Sequence, residues 1–232
     1  MTGIKTVFID IDNTLWHFTR NSDIALEETF HIFHCERWCH DYEYFHRRYE
    51  LHNLRMWQLY NQGLVAKAVL MVKRFELALR DCGHNSDSMH LANDMNTTYL
   101  ERLVMHHELV PGAVELLKYL HEQGYQVNAL SNGFKGVQDK KLQAGGMNRY
   151  ITHMILSEDC GITKPRLGIY RYAQQVTGCT PSTTVMIGDD PSTDIAGALA
   201  AGWRTIYLNL TGTPCSTAHH TVTHLLEIKQ LL

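Results

Sequence analysis

The sequence lacks the features that mark several classes of protein. No window approaches the roughly 18 apolar residues of a membrane-spanning helix, and the opening MTGIKTVFIDIDN has no apolar core of a secretory signal. No run of Lys or Arg forms a basic stripe, and the net charge is −3, so duplex nucleic acid is not an expected partner. We therefore expect a cytoplasmic protein without a membrane partner.

The sequence also lacks the signatures of disordered and of disulfide-rich proteins. It contains no internal repeat or low-complexity segment. Its 232 residues are 44% hydrophobic and 19% charged, which is ordinary for a globular protein with a sizeable core. The six cysteines are scattered without framework spacing, so we expect reduced thiols and no disulfide.

Two patterns divide the chain. Residues 17–107 predict helices only, with Gly83 ending one helix and Ser86 or Asp87 beginning the next. From residue 108 onward, short apolar runs alternate with helical stretches four times, which is the pattern of a parallel sheet covered on both faces.

The apolar run at residues 7–11 supplies a further strand at the N-terminus. We therefore predict an α/β fold with a doubly wound (Rossmann-like) parallel sheet as its catalytic core, formed by residues 1–16 and 108–232. An all-helical cap domain at residues 17–107 is inserted into the first crossover.

Polar side chains follow four of the predicted strands. They are Asp10 and Asp12 after the first strand, Ser131 and Asn132 after the second, Lys164 after the third, and Asp189, Asp190 and Asp194 after the fourth. Ligands of doubly wound sheets bind beyond the carboxyl ends of the strands, so we expect these side chains to meet. Acids gathered in this way repel one another unless a divalent cation lies among them, and oxygen ligands favour Mg²⁺.

Mg²⁺ and Lys164 beside a free carboxylate would form a site for a phosphate dianion. Asp10 is then a candidate nucleophile that forms an aspartyl phosphate. Asp12 is a candidate acid and base for the leaving group and the attacking water. Ser131 and the backbone amides after it would hold the phosphoryl oxygens.

The same residues form four motifs in a fixed order. The motifs are Asp10-Ile-Asp12-Asn13-Thr14, Leu130-Ser131-Asn132-Gly133, Lys164-Pro165, and Gly188-Asp189-Asp190 with Asp194. With these motifs the sequence resembles the haloacid dehalogenase superfamily of phosphohydrolases over nearly the whole chain. The helical insertion is similar to the cap that one subfamily carries between its first two motifs.

The resemblance assigns roles to the motif residues. It implies that Asp10 is the nucleophile, Asp12 the acid and base, and Lys164 a catalytic cation. The phosphate-binding residues implied are Ser131, Asn132 and Lys164. Mg²⁺ is implied at the Asp10 carboxylate, the Asp12 carbonyl and Asp189, with Asp190 and Asp194 next to these ligands.

Two longer stretches narrow the resemblance. LVPGAVELLKYLHEQGYQVNALSNGF and SEDCGITKPRLGIYRYA are similar to the bacterial pyrimidine 5′-nucleotidases. The expected partner is a small phosphate ester, either a nucleotide or a sugar phosphate, and the first hypothesis is a nucleoside 5′-monophosphate phosphatase. The sequence assigns no oligomeric state.

Other functions stay open. A sugar-phosphate mutase or a phosphoglycolate-type phosphatase would keep the same motifs. A 2-haloacid dehalogenase needs neither the Asp12 acid nor Mg²⁺, and a non-catalytic phosphate-binding module has no need for both Asp10 and Asp12. These last two hypotheses therefore fit the motif set less well.

Histidines and cysteines outside the motifs raise one more question. If residues 31–40, HIFHCERWCH, are helical, His31, Cys35 and Cys39 share one face, where zinc could bind. No CxxC or HxxxH pair accompanies them, and a free cysteine is commonly a small buried apolar residue. An apolar role is therefore the simpler interpretation. The C-terminal histidines His219, His220 and His224 are expected on the surface.

Overall fold

The computed structural model describes residues 1–84 and 88–232. These residues form two compact units, one of Met1–Phe18 with His107–Leu232 and the other of Thr19–His106. The predicted capping residues Ser86 and Asp87 lie outside the described residues. None of the described helices combines the length and the apolar character needed to cross a bilayer.

The first unit contains a six-stranded sheet with parallel pairing throughout. The strands are β1 Thr6–Ile9, β2 Gln126–Ser131, β3 His153–Leu156, β4 Thr184–Gly188, β5 Arg204–Leu208 and β6 His220–Val222. Their order in the sheet is β3-β2-β1-β4-β5-β6, a doubly wound order whose direction reverses between β1 and β4. The predicted α/β fold class is confirmed.

The helices of the described residues alternate with these strands or belong to the second unit. In chain order they are α1 Phe18–Ile32, α2 Tyr42–Asn61, α3 Lys67–Asp81, α4 Ser88–Met105, α5 Ala113–Glu122, α6 Lys135–Ala144, α7 Ser157–Cys160, α8 Leu167–Thr177 and α9 Ala196–Ala200. A π-helical turn, Pro191–Ile195, precedes α9, and a 3-10 segment, Leu225–Gln230, follows β6.

Alternating side chains of the strands build a core on each face of the sheet. Val7 and Ile9 of β1 are fully buried in the cluster that includes Leu116 of α5. Phe8 points to the opposite face and stacks on Trp203 with 4.6 Å between ring centroids. Both faces of the sheet are therefore covered by apolar side chains, as expected for parallel strands.

Within the described residues of the second unit, the regular structure is helical. Tyr49 of α2, Phe75 of α3 and Tyr99 of α4 are buried together, with ring centroids 4.7 to 6.1 Å apart. Asp41 caps α2 by accepting the Tyr44 N–H at 2.6 Å. Helix packing around aromatic side chains thus holds this unit, while its predicted role as a cap stays a prediction.

Cys39 and Cys82 form a disulfide with 4.7 Å between their Cα atoms. The expectation of reduced thiols is therefore wrong for this pair, because a sequence separation of 43 matches no framework spacing that the sequence could have shown. The zinc face of His31, Cys35 and Cys39 does not exist either. The chain leaves α1 at Ile32 and adopts a left-handed conformation at His34, with φ of 52°.

The C-terminal segment contains structure that the sequence pattern did not predict. β6 adds an edge strand to the sheet, and Leu225 and Ile228 of the following 3-10 segment are buried in the core. β6 has three residues, of which only Val222 is buried, so it is too short to show an alternating pattern. His219, His220 and His224 are exposed, as predicted.

Candidate active site

The register of the sheet brings three strand ends to one level. Ile9 of β1 pairs with Ala129 of β2 and Ile187 of β4, so Asp10 emerges beside the residues that follow those two. This edge lies at the reversal of strand order, which is where doubly wound sheets bind their ligands.

A tight turn follows Asp10, whose N–H still donates to the Ile187 carbonyl of β4 at 2.9 Å, and carries Asp12 away from the sheet. The Leu15 and Trp16 N–H groups both donate to the Ile11 carbonyl, at 2.9 and 2.8 Å, and Asn13 adopts a φ of 56°. The turn ends the ladder of β1, so the side chain of Asp12 is directed by the turn rather than by the strand.

Lys164 is the centre of the buried charge network. Its Nζ donates to Asp10 Oδ1 at 2.5 Å, to Asp194 Oδ1 at 2.6 Å and to the Leu130 carbonyl at 2.8 Å. Burial by itself would lower the pKa of Lys164, but the Asp10 and Asp194 carboxylates raise it. The lysine is therefore a permanent cation at this edge of the sheet.

Three carboxylates gather beside Lys164, two of them in contact with it. Oxygen atoms of Asp10, Asp189 and Asp194 lie within 4.8 Å of one another. Burial raises the pKa of Asp10 and Asp194, and it raises the pKa of Asp189 to about 7, because the charged forms are poorly solvated. One lysine leaves the cluster with excess negative charge, and clustered carboxylate oxygens are the ligands that Mg²⁺ prefers. The donor set thus fits Mg²⁺.

The loop after β4 places Asp194 in this cluster. A Cβ atom at Gly188 would overlap the Asp194 carboxylate, so the strand must end in glycine for Asp194 to approach. Asp190 caps the π-helical turn that follows β4. Its Oδ1 accepts the N–H groups of Ser192 and Thr193 at 2.7 and 3.3 Å, and these bonds lower its pKa against the opposing effect of burial.

The carboxylate of Asp12 is held by two residues of α6. Lys141 Nζ donates to Oδ1, and Gln138 Nε2 donates to Oδ2 at 2.7 Å. Neither residue belongs to the four sequence motifs. Their spacing could have indicated them, because helical periodicity places Gln138 and Lys141 on the same face as the apolar Phe134 and Leu142. All four side chains are buried.

The residues after β2 divide into two roles. Ser131 Oγ accepts from the Gly133 N–H and from Gln138 Nε2, both at 3.0 Å, which leaves its own proton to be donated. The Asn132 amide accepts the Lys164 N–H at 2.7 Å and donates to the Lys164 carbonyl at 3.0 Å. In the structure Asn132 therefore holds the lysine backbone.

Thr14, which the first motif includes without an assigned role, also lies at the site. Its Oγ1 donates to Asp189 Oδ1 at 2.9 Å. The bond links the turn after β1 to the end of β4, so the first and last motifs are held together by a side chain as well as by strand pairing.

Fold and site together place a carboxylate and lysine cluster at the switch point of a doubly wound sheet. A family model of haloacid dehalogenase-like hydrolases matches residues 4–202. The chain belongs to that family, and the resemblance predicted from the four motifs is confirmed.

Relatives with assigned names match most of the chain. Pyrimidine 5′-nucleotidase YjjG of Escherichia coli K12 is 27% identical and covers 97% of this chain and 96% of its own length. Pyrimidine 5′-nucleotidase PynA of Streptococcus pneumoniae is 29% identical, with coverage of 88% and 84%.

A solved structure is also similar over nearly its whole length. The putative HAD-hydrolase YfnB of Bacillus subtilis, described as bound to magnesium, superposes with a TM-score of 0.87 at 23% identity. The match covers 99% of this chain and 98% of that one. At this identity the likeness concerns the fold.

Proposed function

We propose that this hydrolase removes phosphate from small phosphate monoesters through an aspartyl phosphate. The observation that carries the proposal is the position of Lys164, bound to Asp10 and Asp194 inside the cluster that also contains Asp189. Lys164, together with a divalent cation held by the surplus carboxylates, would let Asp10 approach a phosphate dianion. The charge network therefore suits phosphoryl transfer better than transfer of a neutral group.

In the first step a carboxylate oxygen of Asp10 bonds to phosphorus while the bond from phosphorus to the ester oxygen breaks. Asp12 gives its proton to the departing oxygen. In the second step Asp12 takes a proton from water, and the water oxygen attacks phosphorus. This releases inorganic phosphate and restores the Asp10 carboxylate.

Other residues hold the phosphoryl group and its charge. Ser131 donates its hydroxyl proton to a phosphoryl oxygen, together with the backbone amides that precede α6. Lys164 offsets the charge that Asp10 and the phosphoryl oxygens bring together, and Asn132 keeps the Lys164 backbone in place.

Mg²⁺ would be held by the carboxylates of Asp10 and Asp189 and by the Asp12 carbonyl, with Asp194 adjoining. When bound, it neutralises the phosphoryl oxygens as a Lewis acid. In the same proposal the predicted insertion, residues 17–107, is the cap, and the compact unit Thr19–His106 lies within it. The cytoplasmic location stays an expectation from the sequence.

We propose a pyrimidine nucleoside 5′-monophosphate as the substrate to try first. Support comes from the names of YjjG and PynA, which match 97% and 88% of this chain. The test is phosphate release from uridine 5′-monophosphate, a purine nucleotide, a sugar phosphate and phosphoglycolate, each with Mg²⁺ and with EDTA. Turnover should favour the pyrimidine nucleotide and stop in EDTA. Turnover that persists in EDTA contradicts the metal role, and absence of release from every ester contradicts the function.

The nucleophile is tested by Asp10→Asn. This variant should lose at least about 1000-fold in kcat, because the amide cannot form the acyl phosphate. Asp139→Asn is the matched control, since Asp139 is exposed on α6. Circular dichroism establishes that both variants fold. Wild-type turnover by a folded Asp10→Asn variant would exclude Asp10 as the nucleophile.

A further inference from the structure

We infer that Gln138 and Lys141 are positioning residues that aim the Asp12 carboxylate at the leaving group; this rests on the proposed function. They contact both oxygens of that carboxylate, Lys141 at Oδ1 and Gln138 at Oδ2. Rotation of the Asp12 side chain about its last bond would break one contact or the other. The plane of the carboxylate is therefore set by α6.

Burying the polar ends of these two side chains costs free energy that apolar side chains at the same positions would not. Gln138 is 1% exposed and Lys141 is 2% exposed, whereas the Asp12 side chain keeps 28% of its surface. A carboxylate with that much exposure is solvated by water without a buried lysine. Apolar side chains at both positions would continue the face formed by Phe134 and Leu142 and would avoid the cost of burying polar groups.

Gln138 also connects Asp12 to the second motif. Its Nε2 donates to Asp12 Oδ2 at 2.7 Å and to Ser131 Oγ at 3.0 Å, which uses both amide protons. The partners set the orientation of the amide, because a reversed amide would place Oε1 against the carboxylate. Oε1 is buried without a partner among the described residues, so the amide is held by its two donors alone.

The loop before α6 makes room for this contact. A Cβ atom at Gly133 would overlap the Gln138 amide. Glycine is therefore required by the approach of Gln138. On the other side, the Phe18 ring lies 4.9 Å from Lys141 Nζ, which confines the ammonium group beside Asp12.

The chemical consequence concerns the departing oxygen. An alkoxide from a nucleotide is a strong base and needs the Asp12 proton, whereas a nitrophenolate leaves without one. A misoriented Asp12 carboxyl group should therefore slow cleavage of the nucleotide more than cleavage of a nitrophenyl ester. The quantity to compare is kcat/KM, since it covers the steps only as far as departure of the leaving group and excludes hydrolysis of the aspartyl phosphate.

The experiment measures kcat/KM of Lys141→Met and Gln138→Met on uridine 5′-monophosphate and on p-nitrophenyl phosphate. We expect about a 10- to 100-fold loss on the nucleotide for each variant and less than about a threefold loss on the nitrophenyl ester. Lys140→Met and Gln143→Met are the matched controls, because both side chains are exposed on the same helix; they should match the wild type on both substrates.

A second arm uses Asp12→Asn as the background. If Lys141 acts through Asp12, adding Lys141→Met to Asp12→Asn should cause no further loss of kcat/KM on the nucleotide. Thermal unfolding establishes which variants are folded. If Lys141→Met does not fold, the comparison of the two substrates is made with Gln138→Met. Equal losses on both substrates, no loss on either, or full additivity with Asp12→Asn would overturn the inference. An inactive wild type would instead reject the proposed function.

Discussion

The α/β unit buries its lysines, Lys164 and Lys141, against carboxylates, whereas the helical unit buries Arg74 among neutral groups. In the α/β unit Lys164, 3% exposed, lies against the carboxylates of Asp10 and Asp194. In the helical unit Arg74, also 3% exposed, donates to the amide oxygens of Asn53 and Asn96 at 3.1 and 3.0 Å. Within the described residues no carboxylate forms an ion pair with Arg74.

The surroundings of Arg74 are aromatic. Its Cζ atom lies 5.3 to 5.7 Å from the ring centroids of Tyr49, Phe75 and Tyr99. Ring faces and amide oxygens solvate a guanidinium without bringing a second ion into the core. The acids around Lys164 outnumber it and so create a demand for further positive charge. The neutral surroundings of Arg74 suit a structural scaffold, whereas the surplus of carboxylates around Lys164 suits a site that binds ions.

Among the substitutions that test this comparison, removal of Lys164 should lower stability and activity the most. Lys164→Met leaves buried carboxylates without their cation, so we expect the free energy of unfolding to fall by about 3–5 kcal/mol and kcat/KM by at least about 100-fold. Urea denaturation in EDTA and phosphate release measure the two effects. Lys118→Met, at a surface pair with Glu122 on α5, is the control. Unchanged stability of Lys164→Met would show that the cluster is not charged as described.

Removing the disulfide should come next. The link between Cys39 and Cys82 closes a loop with a sequence separation of 43 residues, so replacing both cysteines with serine should lower the free energy of unfolding by about 2–4 kcal/mol. Cys215→Ser, at a free and partly exposed position, is the control. Alkylation of the denatured, unreduced protein should modify four cysteines, Cys35, Cys160, Cys179 and Cys215. Modification of all six would contradict the crosslink.

Arg74→Met should have the smallest effect of the three. It leaves the amide oxygens of Asn53 and Asn96 buried without a donor, which costs about 1–3 kcal/mol of unfolding free energy. The control is Arg47→Met on α2, where the exposed pair with Glu43 contributes at most about 0.5 kcal/mol. A loss for Arg74→Met as large as that for Lys164→Met would remove the distinction between the two kinds of buried cation.

The sequence by itself predicted the sheet and the gathering of Asp10, Lys164 and Asp189 at one edge. It could do so because apolar runs identify buried strands, and parallel strands end at a common edge. Asp10 and Asp189 follow their strands directly, and Lys164 follows β3 after the single turn of α7, so local order along the chain was enough to bring them together. The functional roles assigned to them remain proposals.

Only the tertiary structure decided which side chains hold those groups in place. Gln138 and Lys141 meet Asp12 across 126 and 129 positions of sequence, and Thr14 meets Asp189 across 175. The pairing of Cys39 with Cys82 and the addition of β6 are of the same kind. Periodicity and motifs report the preferences of neighbouring residues, whereas these contacts depend on how packed elements bring distant parts of the chain within a few ångströms.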